Sequence, residues 1–476
     1  MTPDALHDEP SKSEERIEYA SFTKAQERAL VRKYDLRLLP FLSFMYLFSS
    51  LDRSSVGNAV LDNFEQDLGM TGNQLNTAIT IFYVGFLTFQ IPSNIMLKRY
   101  SAKVWLPFLM IVWGTIACCH AAAKNYAQLM VLRVLLGFFE SGFFKSYIQA
   151  TRIAIFWGST TAAHAFAGVL AFGILQMRGI GGLAGWQWLF LIEGIPTVLV
   201  SIVAFFYLPA DSSKCSWLTE DEKVLAEERL RLEGSGGHQS LGDLSSSNRQ
   251  EAFAALKDWK VWLYMIIFFC GSVPNTSISN FLPTIVSGMG YSNKLDANLM
   301  SAPPYVCAVA VVILVAHSSD RFSDRAYHAI GGAVVCLVGY ILLVSITGNS
   351  ARYGAVCLSV AGVFVINPIV NAWLTGNIAP GMKKSVATAM AVSANNAAGL
   401  VGSNIYLKSD APNYIRGHTV NLGFTALFIV LVLLLRFLLW RENNSRQKQL
   451  SDLEDRKVVE DDTRFGDRRL EFRYAL

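Results

Sequence analysis

Two charged residues stand seven positions apart in Arg133-Val134-Leu135-Leu136-Gly137-Phe138-Phe139-Glu140, inside an apolar run from Tyr126 to Phe144. Seven residues are close to two helical turns, so both side chains leave one face, roughly 10 Å apart along the axis. A charge at the bilayer centre costs about 2.5–3.5 kcal/mol on insertion scales, so such residues pair with one another or face a polar interior. A second pair, Asp52-Arg53, interrupts the first apolar run, Leu38 to Val60. Carboxyls shielded from lipid can take up and release protons. Arginine stays charged and can grip a carboxylate with two parallel bonds. The plainer reading is an ion pair that only locks helices together, a role that apolar packing could fill with little loss.

The composition supplies the setting. Of 476 residues, 52% are hydrophobic and only 16% charged, and mean hydropathy is positive despite polar tails. This excludes an ordinary soluble protein. The net charge of +4 is spread over loops and not gathered in one patch, so nucleic acid is not an expected partner. Seven cysteines, at 118, 119, 215, 270, 307, 336 and 357, show no paired spacing and read as small packing residues. His120, His164 and His317 have no metal-ligand spacing, so no metal or cofactor is expected. No nucleophile–base pair or phosphate loop appears, which argues against an enzyme. Residues 1–36 lack the apolar core of a cleavable signal peptide, so the first membrane helix is expected to direct insertion.

Twelve segments approach the roughly 20 residues that span a bilayer. They lie near 37–60, 75–97, 104–123, 126–147, 152–176 and 186–208, then 259–282, 299–317, 327–347, 354–376, 385–407 and 418–440. The expected fold is an all-α membrane protein, twelve transmembrane helices arranged as two six-helix bundles. The polar stretches are 1–36, 209–257 and 441–476, leaving bundles at 37–208 and 258–440. Within the central loop, Thr219 and Glu222 have the spacing of a capping box for a short surface helix running to about Leu232. Lys98, Arg99, Lys103, Arg321, Arg325, Lys383 and Lys384 fall in alternate connections, whereas the first loop has Asp62, Glu65 and Asp67 instead. That asymmetry predicts cytoplasmic termini.

Six helices, a long loop and six more resemble the major facilitator superfamily, whose sites lie between the halves near mid-membrane. Leu51-Asp52-Arg53-Ser54-Ser55-Val56-Gly57-Asn58-Ala59 is similar to the first-helix signature of its anion:cation symporter family, in particular the fungal allantoate/nicotinate permease-like branch. Arg133-x-x-x-Gly137-x-x-Glu140-Ser141-Gly142 resembles the fourth-helix motif; Gln90-Ile91-Pro92-Ser93-Asn94, Phe281-Leu282-Pro283-Thr284, Trp217-Leu218-Thr219 and Phe472-Arg473-Tyr474 also fit. The resemblance implies proton-coupled uptake of a small organic anion, a carboxylate such as allantoate, nicotinate or pantothenate, by a plasma-membrane monomer. It implies Asp52 and Glu140 as proton carriers and Arg53 and Arg133 as holders of a carboxylate or of those acids. An uncoupled facilitator or exporter, a non-transporting sensor, or an inactive isoform would present the same helices.

The other candidates carry weaker signals. Tyr83, Asn275, Asn371 and Asn395 could bond substrate oxygens or merely neighbouring helices. Asp320-Arg321 and Asp324-Arg325 resemble the superfamily's cytoplasmic gate motif, with a basic loop as the plainer reading. Between Glu140 and Arg152 the chain is roughly ten residues shorter than the family pattern, which predicts a tight turn near 146–151 or a short fourth helix.

Overall fold

The computed structural model describes residues 23–142, 150–209, 215, 217–232, 246–290, 295–322, 324–379, 382–455, 467, 470 and 472–476. The expected turn near 146–151 falls mainly on 143–149 and lies outside the described residues. Twelve helices of fifteen residues or more carry the fold. They are α1 (Lys24–Ala59), α2 (Gln74–Tyr100), α3 (Ala102–His120), α4 (Tyr126–Glu140), α5 (Ala150–Leu175) and α6 (Gly185–Tyr207). The second set is α7 (Trp259–Ser287), α8 (Asp296–Phe322), α9 (Ala326–Ser345), α10 (Asn349–Asn377), α11 (Met382–Gly402) and α12 (Ile415–Asp455). Several of them run a few residues beyond the apolar segments read from the sequence, and two run far beyond. α1 begins at Lys24, where Thr23 and Gln26 close a capping box, and α12 continues to Asp455.

α2, α3, α6, α7, α8, α9, α10 and α12 are long and apolar enough to cross a membrane by composition alone. α5 has a shorter apolar part, Thr160–Leu175. α1 and α11 are more polar, as suits helices that turn one face to other protein instead of lipid, and α4 has only fifteen described residues. Phe206, Ile91, Phe322 and Leu314 stand outward, each about 70–80% exposed, as lipid-facing residues would.

In the first half α2 packs on α4, α3 on α4 and α6, and α1 on α5 and α6. In the second, α9 packs on α10 and α12, and α7 on α10, α11 and α12. The α2–α4 crossing is as close as backbones allow. A Cβ at Gly137 would run into the Phe82 carbonyl, and one at Gly85 into that of Val134. Small residues at such crossings are how membrane helices gain contact without a hydrophobic driving force. This crossing fixes where Arg133 and Glu140 sit.

The halves meet where α5 crosses α8 and α10, α1 crosses α7, and α2 crosses α11. Most of their polar links lie at the end bearing the 60–73 and 403–414 connections, the loop face, although Ser393 Oγ of α11 donates to Gln90 Oε1 of α2 at 3.2 Å farther along the helices. At the loop face Asn76 Nδ2 donates to the Ser403 and Tyr406 carbonyls at 2.8 and 2.9 Å. Asn404 Nδ2 donates to Thr80 Oγ1 at 2.8 Å, and Lys408 pairs with Glu65 at 2.5 Å. Asp62 and Asp67, read from the sequence only as loop acids, both take hydrogen bonds from Arg178.

The opposite, tail face is tied together differently. The central loop forms the helix Glu220–Leu232, its capping box closed by Thr219 N to Glu222 Oε2 at 2.9 Å and Glu222 N to Thr219 Oγ1 at 3.3 Å. Trp217, Leu218 and Leu225 pack there on Leu30 and Tyr34 of α1, and Lys33 bonds Glu222. In the second half, residues 472–476 bridge several helices. Tyr474 Oη meets Lys260 Nζ and accepts from Arg446 Nη2 at 2.9 Å. Ala475 N donates to Asn377 Oδ1, and its carbonyl accepts from Trp373 Nε1. Asp467 receives Lys383 at 2.8 Å and Lys260 at 3.0 Å.

Burial alone would push the Asp467 carboxyl up, but Lys260 and Lys383 outweigh it and hold it below the usual carboxylate range. A carboxyl depressed in the folded state stabilises above its unfolded value, and that stability is lost as pH falls through the folded value. Asp467→Asn should therefore cost about 3 kcal/mol near neutral pH, the scale for breaking a buried pair. Thermal unfolding in detergent should show this gap, and it should close as the medium is made strongly acidic.

Candidate functional site

α1 turns its two charges to different partners. Successive helical residues point about 100° apart, so Asp52 and Arg53 cannot face one neighbour. Arg53 faces α4 and α2, where its Nε donates to Glu140 Oε1 at 2.6 Å. Its guanidinium lies 5.1 Å from the Phe86 ring centre and 5.7 Å from that of Phe82. Ser49, one turn earlier, donates to the same Glu140 oxygen at 2.5 Å. Glu140 is fully buried, while the Arg53 side chain remains a quarter exposed. Glu140 Oε2 has no hydrogen-bond partner among the described residues.

The spacing within α4 leaves open that Arg133 and Glu140 pair with each other. The structure pairs Glu140 with Arg53 of α1 instead. Arg133 is 97% buried, and its guanidinium lies 5.8 Å from the centre of the Phe190 ring of α6. Its Nε and Nη2 meet no acceptor among the described residues. The charges that act on it are Glu140 and Asp52. An arginine with N–H groups turned to no acceptor is costly to bury, and an anion would relieve that cost.

Asp52 lies on the other side of α1, buried, with Thr197 Oγ1 of α6 at 3.4 Å. Near it is a residue that the charge search along the sequence missed, Glu193 of α6, also 97% buried. The signal was present, because Glu193 interrupts the apolar run 186–208 just as Asp52 and Arg53 interrupt theirs. It has no second charge on its own helix to draw attention to it.

The remaining candidates divide. Tyr83 is buried against α11, where a Cβ on Gly399 would strike its ring, and it lies beside Asn280 of α7. Asn280 was not singled out in the sequence, yet its Nδ2 has no partner among the described residues. Its backbone is what a Cβ at Gly57 of α1 would strike. Asn275 is half-buried on the same helix, and Asn371 of α10 is buried. Asn395 bonds neighbouring helices: its Oδ1 accepts from Ser272 of α7 at 2.7 Å and Asn367 of α10 at 3.2 Å.

At the tail face Asp320 pairs with Arg325 at 2.6 Å, and Asp324 pairs with Arg436 of α12 at 2.7 Å. Arg325 Nη1 also donates to Ser319. Arg321 is exposed and outside these pairs, while Arg436, unmarked in the sequence, takes the place expected for a basic partner. His120 stacks on Phe190, His164 packs between Tyr305 and Phe364, and His317 is exposed.

Two bundles of six helices enclosing buried charge define a secondary-transporter architecture. The chain belongs to the Major Facilitator Superfamily, whose pattern matches residues 42–403. It is a multi-pass membrane transporter and not an enzyme. Among its relatives is MFS-type transporter efuF of Hormonema carpetanum, 36% identical over 84% of this chain and 83% of that protein. MFS-type transporter cnsO of Penicillium expansum is 36% identical over 96% of this chain and 92% of its own length. Major facilitator-type transporter hxnP of Emericella nidulans is 33% identical over 86% and 84%. The fold matches an inward-facing crystal structure of a bacterial homologue of the human lysosomal transporter Spinster, with TM-score 0.62, 12% identity, and 85% and 97% of the two chains covered.

The Asn395 contacts generate a separable outcome. Removing an acceptor for two buried donors costs about 1–3 kcal/mol, so Asn395→Ala should lower thermal stability in detergent by that order. Ligand affinity, measured on the same preparation, should change less.

Proposed function

We propose that this protein is a proton-coupled importer of a small organic anion, a carboxylate of the allantoate, nicotinate or pantothenate kind. It would stand in the anion:cation symporter branch and work as a monomer in the plasma membrane with the tail face cytoplasmic. The observation that carries this reading is Arg133, buried with Nε and Nη2 unmatched by any acceptor among the described residues, next to the Arg53–Glu140 pair. In this reading Arg133 and Arg53 hold the carboxylate. Tyr83, Asn275 and Asn371 contact the rest of the substrate, Asn395 braces α7 and α10 beside them, and Asp52 and Glu140 carry protons.

Coupling follows from competition for one guanidinium. Glu140 and an arriving anion both need the Arg53 N–H groups. When the anion takes them, Glu140 loses its cation in a dry site and accepts a proton more readily. Binding of anion and proton then favour each other, and the linkage must be reciprocal. Links between the halves near the loop face support one end state of an alternating-access cycle. The Asp320–Arg325 and Asp324–Arg436 pairs, with Arg321 beside them, would form the gate at the other end.

Uptake of labelled carboxylates with and without a proton gradient tests the reading directly; uptake indifferent to the gradient would indicate a facilitator. Arg133→Gln and Arg53→Gln should each weaken binding of a carboxylate by about 1.5–3 kcal/mol, the worth of hydrogen bonds to a charged group. A neutral analogue should lose much less, and equal loss for both ligands in folded protein would count against an anion-holding role. In proteoliposomes, Glu140→Gln and Asp52→Asn should retain exchange but lose gradient-driven accumulation. Accumulation that survives in both variants would sink proton coupling through these acids.

A further inference from the structure

Among the described residues, the middle of the first bundle holds three buried carboxyls, Asp52, Glu140 and Glu193, against two arginines, Arg53 and Arg133, while the buried Asp62 and Glu65 lie at the loop face with Arg178 and Lys408. One acid is left over. Glu140 has a cation in contact, whereas neither Asp52 nor Glu193 forms an ion pair among the described residues. These two lie close enough to act on one another electrostatically. An ionised carboxylate buried without a cation is far costlier than a neutral one.

The hydrogen bonds point the same way when their protons are counted. Ser55 Oγ lies within bonding distance of both the Leu51 carbonyl, at 2.9 Å, and Glu193 Oε2. Thr197 Oγ1 lies 3.0 Å from the Glu193 carbonyl and 3.4 Å from Asp52 Oδ2. Each hydroxyl has one proton to donate and can accept as well. One proton on the pair satisfies both contacts when Ser55 donates to the Leu51 carbonyl and accepts from a protonated Glu193, while Thr197 donates to Asp52 Oδ2. Glu193 Oε1 has no partner among the described residues, which a neutral acid tolerates better than an anion.

Among the described residues the surroundings contain no competing base. From α3, Trp113 and Cys118 lie near enough to interact electrostatically with Asp52. From α4, Glu140 and Arg133 act on Asp52 at longer range. Arg53 leaves α1 on the side of Glu140. His120 stacks on Phe190 and keeps its Nδ1 on the Ile116 carbonyl.

We propose that Asp52 and Glu193 together hold one resident proton, a storage site on the α1–α6 side that is separate from the Arg53–Glu140 pair. Its use in transport rests on the proton-coupled reading above: the stored proton passes to Glu140 when an anion occupies the arginines. The proton moves from one carboxyl oxygen to another, so no further reactant is needed. Glu193 is thus a positioning residue for Asp52 and a proton holder that does not touch the substrate.

Infrared difference spectroscopy on purified, folded protein reads the proton without any transport. Near neutral pH the wild type should show the carbonyl band of a buried, protonated carboxyl. The band should vanish in Glu193→Gln or in Asp52→Asn, persist in Glu140→Gln, and shift in Ser55→Ala, which keeps both acids. Absence of the band from wild type, or its survival unchanged in Glu193→Gln, would overturn the proposal. Proteoliposomes then separate the two readings. Glu193→Gln should keep exchange while proton-driven accumulation falls about tenfold, within the usual range of coupling between sites. Unchanged accumulation in Glu193→Gln, with a coupled wild type, refutes the storage site alone. A band that behaves as stated in a protein indifferent to the gradient supports the storage site and refutes the coupling.

Discussion

A carboxylate placed in a membrane interior must find either a cation or a proton, and the first half of this transporter is arranged around that requirement. Glu140 finds a cation: Arg53 lies 2.6 Å away, and Ser49 supports the same oxygen. The pair joins α1 to α4, while the Gly85–Gly137 crossing presses α4 against α2. Two further charges of this half take their places from that join. Arg133 lies two turns back along α4, and Asp52 is turned to the far side of α1.

The two halves use polarity differently. In the first, the mid-bundle charges are few: Glu140 is in contact with Arg53 and Ser49, whereas Arg133 Nε and Nη2 meet no acceptor among the described residues. In the second, mid-bundle polarity is amide and hydroxyl: Ser272, Asn367 and Asn395 tie α7, α10 and α11 together. Its charges collect instead at the tail face, where Asp258, Lys260, Lys383, Arg446 and Asp467 surround Tyr474. Such a division suits a body in which one half changes its protonation and the other moves against it as a unit. It also locates the strongest fastening of the second half away from its junction with the first.

Much of this was legible in the chain. Apolar length gave the twelve helices, and Asp52, Arg53, Arg133 and Glu140 stood out because charge is rare in such runs. What could not be read was which charge meets which. Spacing within one helix places Arg133 and Glu140 on a common face, but the partner of Glu140 comes from another helix, some 87 positions away in sequence. Glu193 escaped notice for a related reason, since its neighbours Asp52, Ser55 and Thr197 form a group only after α1 and α6 pack. Arg436 as the partner of Asp324, and Tyr474 at the centre of the tail-face network, likewise depend on contacts between distant segments. Helix length is a local property of sequence, whereas pairing is a property of the packed bundle.

The adjacency of Asp52 and Arg53 has an electrical meaning. Because neighbouring residues leave a helix about 100° apart, the body of α1 stands as a partition between an acidic compartment against α6 and a cationic one against α4. Such a partition carries opposite charge on its two faces. Exchanging the two residues in the sequence would leave composition, hydropathy and helix length untouched, yet reverse the polarity across the wall.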